Sequence, residues 1–369
     1  MNKVGNYYPE LDSLRFFAFL LVLIHHSPYW KSIPAWQAVA QYGWMGVDLF
    51  LCLSAFLFAR LLYVEYQEKG DVNVGYFYLR RALRIWPLYF FFFAAMLTLS
   101  IQQDGGTGYM LKRSIGMMTF TDNLFAAFLG YNLVIWFTNH LWTISYEEQF
   151  YLIIPWVLRK FYRLKKSTTL LILITAMLAG MLIRATFIAS QVEHPAIWVL
   201  PITHFESIFG GLMIGLGLFD NFLKKIPGWV QLLLGFLALY LITLLPNIDM
   251  IRWELMLTYP LIGVGMTLIL SAVMQGDLWW LSAFFKNKIL GYFGKISYGL
   301  YVYHVAGIWL AYKVTDAFIS SERLLVYPLT VLLFGLIITL SVSMLSYQFL
   351  EKPFLRLKER FTFIKSRPI

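Results

Sequence analysis

Apolar runs long enough to cross a lipid bilayer recur along the whole chain, and no long polar insertion separates them. An α-helix needs about 20 apolar residues to traverse a hydrocarbon core about 30 Å thick, and in lipid only helices and closed barrels satisfy their own backbone groups. The runs predict an all-α, polytopic transmembrane helix bundle of about ten spans, over residues 11–28, 43–63, 84–101, 142–160, 169–189, 205–219, 229–246, 254–274, 296–313 and 325–349. On this reading residues 1–369 form a single membrane-embedded domain. The first run contains Asp12 and Arg15 and is followed by no small-residue cleavage signal, so it is expected to be a retained helix rather than a signal peptide.

Charge then orients the bundle. If the N-terminus is cytoplasmic, the alternate loops and the tail hold 22 of the 30 basic residues, from Lys3 through clusters at 60–84, 159–166, 224–225 and 286–295 to the tail at 352–367. The opposite loops carry only Lys31, Lys112, Arg113, Arg252, Lys313 and Arg323. The positive-inside rule places both termini in the cytoplasm, and the same clusters account for a net charge of +10 without nucleic acid. Arg15 and Arg184 fall inside apolar spans and need a separate explanation. Cys52, the sole cysteine, excludes an internal disulfide or a multi-cysteine metal site and is read as a packing residue. The long connection from Gln102 to His140 turns apolar from Leu124 to Phe137, as a segment does that re-enters the membrane or lies along it. Gly211 and Gly215 have the spacing of close helix contacts.

Four segments carry candidate chemistry. In the first span, Arg15 and His26 are eleven residues apart, so both project from one helix face about 16 Å apart, with His25 about 100° away. Asp12 can pair with Arg15. The plainer reading has Arg15 reach the interface and His26 bond a neighbouring helix. In "RRALRIWPLYF", Arg80, Arg81 and Arg84 precede a span, and guanidinium forks suit phosphate oxygens. A positive-inside anchor on anionic lipid is the alternative. No Walker loop points to ATP. In "NHLWTISYEEQFYLIIP", read as an outer helix end, His140, Glu147 and Glu148 sit near Tyr151, which is i+4 from Glu147. One carboxylate at least should face a polar cavity, although a cap from Thr143 or Ser145 with a first-turn glutamate is a structural alternative. In "LGYFGKISYGLYVYH", Tyr301 and His304 belong to an aromatic belt or a carbohydrate path. His194 and His204, near Glu193 and Glu206, match no metal-ligand spacing.

Together these segments resemble the acyltransferase-3 family of membrane-bound O-acyltransferases, from Leu11 to the last span. Arg15 and His26 match that family's Arg and His of the first helix, and Arg81 and Arg84 its cytoplasmic Arg-x-x-Arg. Trp142 to Pro155 matches its "W-x-x-S-x-E-E-Q-F-Y-x-x-x-P" signature, and "ISYGLYVYH" is a further likeness. "LCLSAF" departs from the usual "F-x-x-S-G-F", with Ala55 in place of Gly. Longer members carry an appended extracellular domain that this sequence is expected to lack.

The resemblance implies acetyl or similar short acyl transfer from cytoplasmic acyl-coenzyme A, commonly acetyl-CoA, to a hydroxyl of a surface polysaccharide, lipid-linked sugar or glycoside. It implies donor binding by Arg81 and Arg84 with Arg15 and Arg80. His26 would act as general base or acyl relay, and Glu147, then Glu148, would orient the acceptor or an imidazole. No metal is required, because a thioester is already activated. The expected location is a bacterial inner membrane. The competing class is a proton-coupled transporter with Arg15, His26 and Glu147 as a relay.

Overall fold

The structure, a computed structural model, describes residues 7–27, 34–131, 134–323 and 325–363. Residue 28 of the first predicted span and four residues of the charge asymmetry (Lys3, Lys31, Lys365 and Arg367) lie outside them. Over the described residues the chain is helical, with no strand. Helix α1 (Pro9–His26) opens on a proline, whose missing N–H would be unpaired in the first turn anyway, and has Glu10 and Asp12 there to face the helix dipole. It ends at Ser27, which is extended, as expected of a residue that precedes proline in the sequence. Then follow α2 (Pro34–Tyr42) and α3 (Gly46–Lys69), which Gly70 closes at φ 76°, a left-handed cap that glycine adopts without strain.

Helix α4 (Val74–Asp104) is capped by Asn73, whose Oδ1 accepts from the Tyr76 N–H at 2.9 Å. It starts ten residues before the predicted span at 84, so Arg80, Arg81 and Arg84 stand on the helix itself and not ahead of it. The long connection folds into α5 (Gly108–Met118) and α6 (Asp122–Leu129), joined by a buried Arg113–Asp122 ion pair at 2.9 Å. The chain continues through α7 (Trp142–Phe161), α8 (Lys166–Ala189), α9 (Ala196–Val199), α10 (Glu206–Gly215), α11 (Asp220–Leu223) and α12 (Gly228–Ile242). It ends with α13 (Leu255–Gln275), α14 (Trp279–Phe285), α15 (Lys288–Lys295), α16 (Ser297–Asp316), α17 (Val326–Ser346) and α18 (Lys352–Glu359).

Among the described residues five helical stretches are long and apolar enough to cross a membrane: Val39–Lys69, Val74–Asp104, Lys166–Ala189, Leu255–Gln275 and Val326–Glu359. Glu206–Gly215 and Gly228–Ile242 are apolar but shorter. The protein is therefore a membrane protein.

Small residues set how closely the helices approach. A Cβ on Gly46 would lie 2.3 Å from the Ala18 carbonyl oxygen, so α3 starts in backbone contact with α1. Gly211 and Gly215 let α10 lie on α3, where a Cβ would meet Cys52 O at 2.2 Å and Ala59 Cβ at 2.5 Å. Cys52 itself is buried and free. Arg184 is buried within α8, ion-paired to Glu206, donating from Nε to Thr203 O at 2.8 Å and lying 4.5 Å from the Tyr259 ring centroid. Alongside it, Asp48 accepts from Ser207 at 2.6 Å and contacts His204 Nε2 at 2.8 Å. These contacts stitch α3, α8, α10 and α13 together around groups that lipid would not tolerate unpaired.

Candidate active site

Two cavities occupy the bundle and share one wall. The first, about 1170 Å³ including its mouth, brings together Arg15 from α1, Arg81 and Arg84 from α4, Glu147 and Tyr151 from α7, and Lys358 from α18. Arg15 donates to Asp12 at 3.1 Å, and Tyr7 donates to the other Asp12 oxygen at 3.0 Å, so the acid the sequence paired with Arg15 does hold it. Arg81 stacks over Phe58 at 4.7 Å, and its buried Nε has no hydrogen-bond partner among the described residues. Neither Arg81 nor Arg84 forms an ion pair with a carboxylate among the described residues. Asp12 and Glu147 are the carboxylates that share their chamber, so the arginines outnumber them there, and a surplus of guanidinium groups suits an anionic ligand such as phosphate.

Arg80 does not join them. Its guanidinium turns to Glu65 at 2.9 Å and to the Phe361 carbonyl at 3.0 Å, because one residue's step rotates it about 100° around α4. Glu147 accepts from Tyr151 at 2.5 Å, in the chamber of the arginines. Glu148 lines neither chamber and lies 3.5 Å from Trp86 Nε1. Gln149 anchors the α5–α6 region through Phe120 O at 3.0 Å and Asn123 at 2.7 Å. The three consecutive polar residues of this segment thus fan out to three different neighbours.

The second cavity, about 2080 Å³ including its mouth, is lined by His25, His26, His140 and His194, by Trp44, Trp136, Trp142, Trp198 and Trp309, and by Asn139, Asn247 and Asp249 among others. His26 Nδ1 lies 2.9 Å from Val22 O and 3.3 Å from His304 Nε2. His304 Nδ1 lies 2.6 Å from Tyr301 O, and His140 Nε2 lies 3.2 Å from Val302 O. Carbonyl oxygens only accept, so these partners assign the ring protons. His304 carries hydrogen on Nδ1 and offers Nε2 as acceptor, His26 carries hydrogen on Nδ1, and the neutral His26 ring keeps its lone pair on Nε2. That leaves a base on the ring that lines the chamber.

Val47, Thr143 and Tyr301 line both cavities and form the wall between them. The Tyr301 hydroxyl accepts from Thr143 Oγ1 at 2.7 Å and donates to His140 O at 3.0 Å, which fixes the ring in the wall. Thr143 precedes Glu147 by four residues and so shares its face of α7. The alternative of Thr143 or Ser145 as helix cap does not hold, because α7 begins at Trp142 with no side-chain cap, and the sequence does not single out Val47 or, as a lining residue, Lys358. The i, i+4 relation of Thr143 to Glu147 was the available signal, whereas nothing in the sequence joins α18 to α1.

Five helices long and apolar enough to cross a membrane, with two chambers that share lining residues, one carrying arginines and the other histidines, define a polytopic membrane protein among the described residues. A family model described as an acyltransferase domain matches residues 8–348. The chain belongs to that family, whose members act on an acyl donor and an acceptor. It is similar to the O-acetyltransferase OatA of Staphylococcus aureus (strain NCTC 8325 / PS 47), at 25% identity over 364 residues, covering 94% of this chain and 57% of that protein. A Staphylococcus aureus (strain COL) protein provisionally named an O-acetyltransferase is 26% identical over 378 residues, covering 95% of this chain and 58% of its own. The chain therefore spans less than two thirds of the length of these relatives. No solved structure gives a significant match.

Proposed function

We propose that this domain moves an acetyl or similarly short acyl group from coenzyme A, bound in the arginine chamber, to a carbohydrate hydroxyl presented in the histidine chamber. The observation that supports the reading is the shared wall of Val47, Thr143 and Tyr301: the chamber on one side of it contains Arg15, Arg81 and Arg84, and the chamber on the other contains His26. Arg81 and Arg84, with Arg15 and Lys358, hold the phosphates of the donor. Its pantetheine arm runs along the apolar face of α3 towards the wall. Glu147, on this same side, acts through Tyr151 to set the donor chamber rather than through an imidazole.

At the wall, His26 Nε2 takes the proton of the acceptor hydroxyl as that oxygen attacks the thioester carbonyl. The C–S bond breaks, and the departing thiolate takes the proton from the imidazolium, which leaves an ester and free coenzyme A. The tryptophans of the histidine chamber offer flat apolar faces to sugar rings, while Asn139, Asn247 and Asp249 can bond hydroxyls. We place the arginine chamber at the cytoplasmic face, on about ten spans with both termini cytoplasmic in a bacterial inner membrane. The positive-inside asymmetry supports that orientation.

The test follows radiolabelled acetyl groups from acetyl-coenzyme A into envelope glycan in membranes containing the protein. His26→Ala should lower transfer by about 10²- to 10⁴-fold while coenzyme A binding persists. Unchanged transfer would remove His26 from the chemistry. Substrate flux without thiol release would favour a transporter instead.

A further inference from the structure

Val47, Thr143 and Tyr301, the residues that line both chambers, have little freedom to move. Val47 and Thr143 are β-branched and stiff about χ1. Val47 follows Gly46, which is held so close to α1 that a Cβ there would sit 2.3 Å from Ala18 O, and Gly43 meets Leu21 O at the same distance. The start of α3 therefore has no slack with which to move Val47 aside. Tyr301 is held at its hydroxyl by two hydrogen bonds near the start of α7, from Thr143 at 2.7 Å and to His140 O at 3.0 Å. On the arginine side, Leu61, Leu57, Ser54, Phe50 and Val47 follow one another along a face of α3 from the region of the cations to the wall. A donor held by its phosphates at Arg81 and Arg84 and laid along this face meets the wall with its acyl end, the one part that has to pass to His26.

We propose that Val47, with Thr143 and Tyr301, is the acyl-length determinant: it closes the donor chamber behind a two-carbon acyl group and excludes longer chains. The inference rests on the donor assignment above and adds the chain length of the acyl group. A wall that cannot yield rejects each added methylene by roughly tenfold or more.

Binding tests this without an acceptor. Non-hydrolysable ketone analogues of acetyl-, propionyl- and butyryl-coenzyme A would be titrated into the full chain in lipid nanodiscs, beside coenzyme A itself. Wild type should bind the butyryl analogue, two methylenes longer, at least about 100-fold more weakly than the acetyl analogue. Val47→Ala should bring that ratio to within about threefold, with coenzyme A affinity unchanged. Val47→Ile, which adds one methylene to the wall, should weaken the acetyl analogue and spare coenzyme A, and it decides the matter if Val47→Ala does not fold. Equal chain-length ratios in wild type and Val47→Ala, or an acetyl analogue indifferent to Val47→Ile, overturn the proposal. If wild type binds neither coenzyme A nor any analogue, the donor assignment fails instead.

Discussion

His304→Leu isolates what the second imidazole does for the first. His304 lines neither chamber, so its loss leaves both ligand sites intact, and leucine fills much of the buried space. What disappears is the Nε2 acceptor 3.3 Å from His26 Nδ1. When His26 takes a proton on Nε2 in the transition state it becomes a cation, and its Nδ1–H then becomes a stronger donor. A hydrogen bond to a charged group contributes about 1.5–3 kcal/mol. The contact here is long and competes with Val22 O at 2.9 Å for the same hydrogen, so the low end applies. About 1.4 kcal/mol corresponds to roughly tenfold in kcat.

The donor KM should not change, because the arginine chamber is on the other side of the wall. The assay is steady-state release of coenzyme A thiol in nanodiscs, with His304→Gln as partner variant, since its amide oxygen can accept where Nε2 did and should recover part of the loss. A kcat that does not respond to His304→Leu, or a loss carried by KM alone, would refute the role. So would a glutamine variant as impaired as leucine.

Two further outcomes follow from the placement of the arginines. Arg81→Ala and Arg84→Ala should each weaken coenzyme A binding by about 10- to 100-fold in a calorimetric titration, whereas Arg80→Ala should leave affinity unchanged and lower the unfolding temperature, since it strands Glu65. Equal effects of all three on binding would contradict the geometry. Arg184→Ala should destabilise the fold by about 3–5 kcal/mol by leaving Glu206 buried and unpaired, and Arg184→Ala combined with Glu206→Leu should recover much of it. Thermal unfolding of the single and double variants checks this, and a double variant no better than the single would sink the pairing argument.

Much of the plan could be read from the chain. Apolar runs marked where helices lie, because lipid leaves the backbone few alternatives, and a helix occurs at each predicted run. Helical periodicity put Arg15 and His26 on one helix face and Glu147 in step with Tyr151, since relations within one helix depend only on 3.6 residues per turn. The small-residue spacing of Gly211 and Gly215 likewise gave a close contact, though not its partner. The tertiary structure decided which faces meet. It set His304 against His26 across 278 residues, turned Arg80 away from Arg81 and Arg84, and put Glu147 on the arginine side of the wall. It also made a wall from Val47, Thr143 and Tyr301, three residues of three helices that nothing in the linear order connects. Sequence periodicity fixes angles around a single axis, but distances between axes come from packing, and the chemistry proposed here depends on those distances.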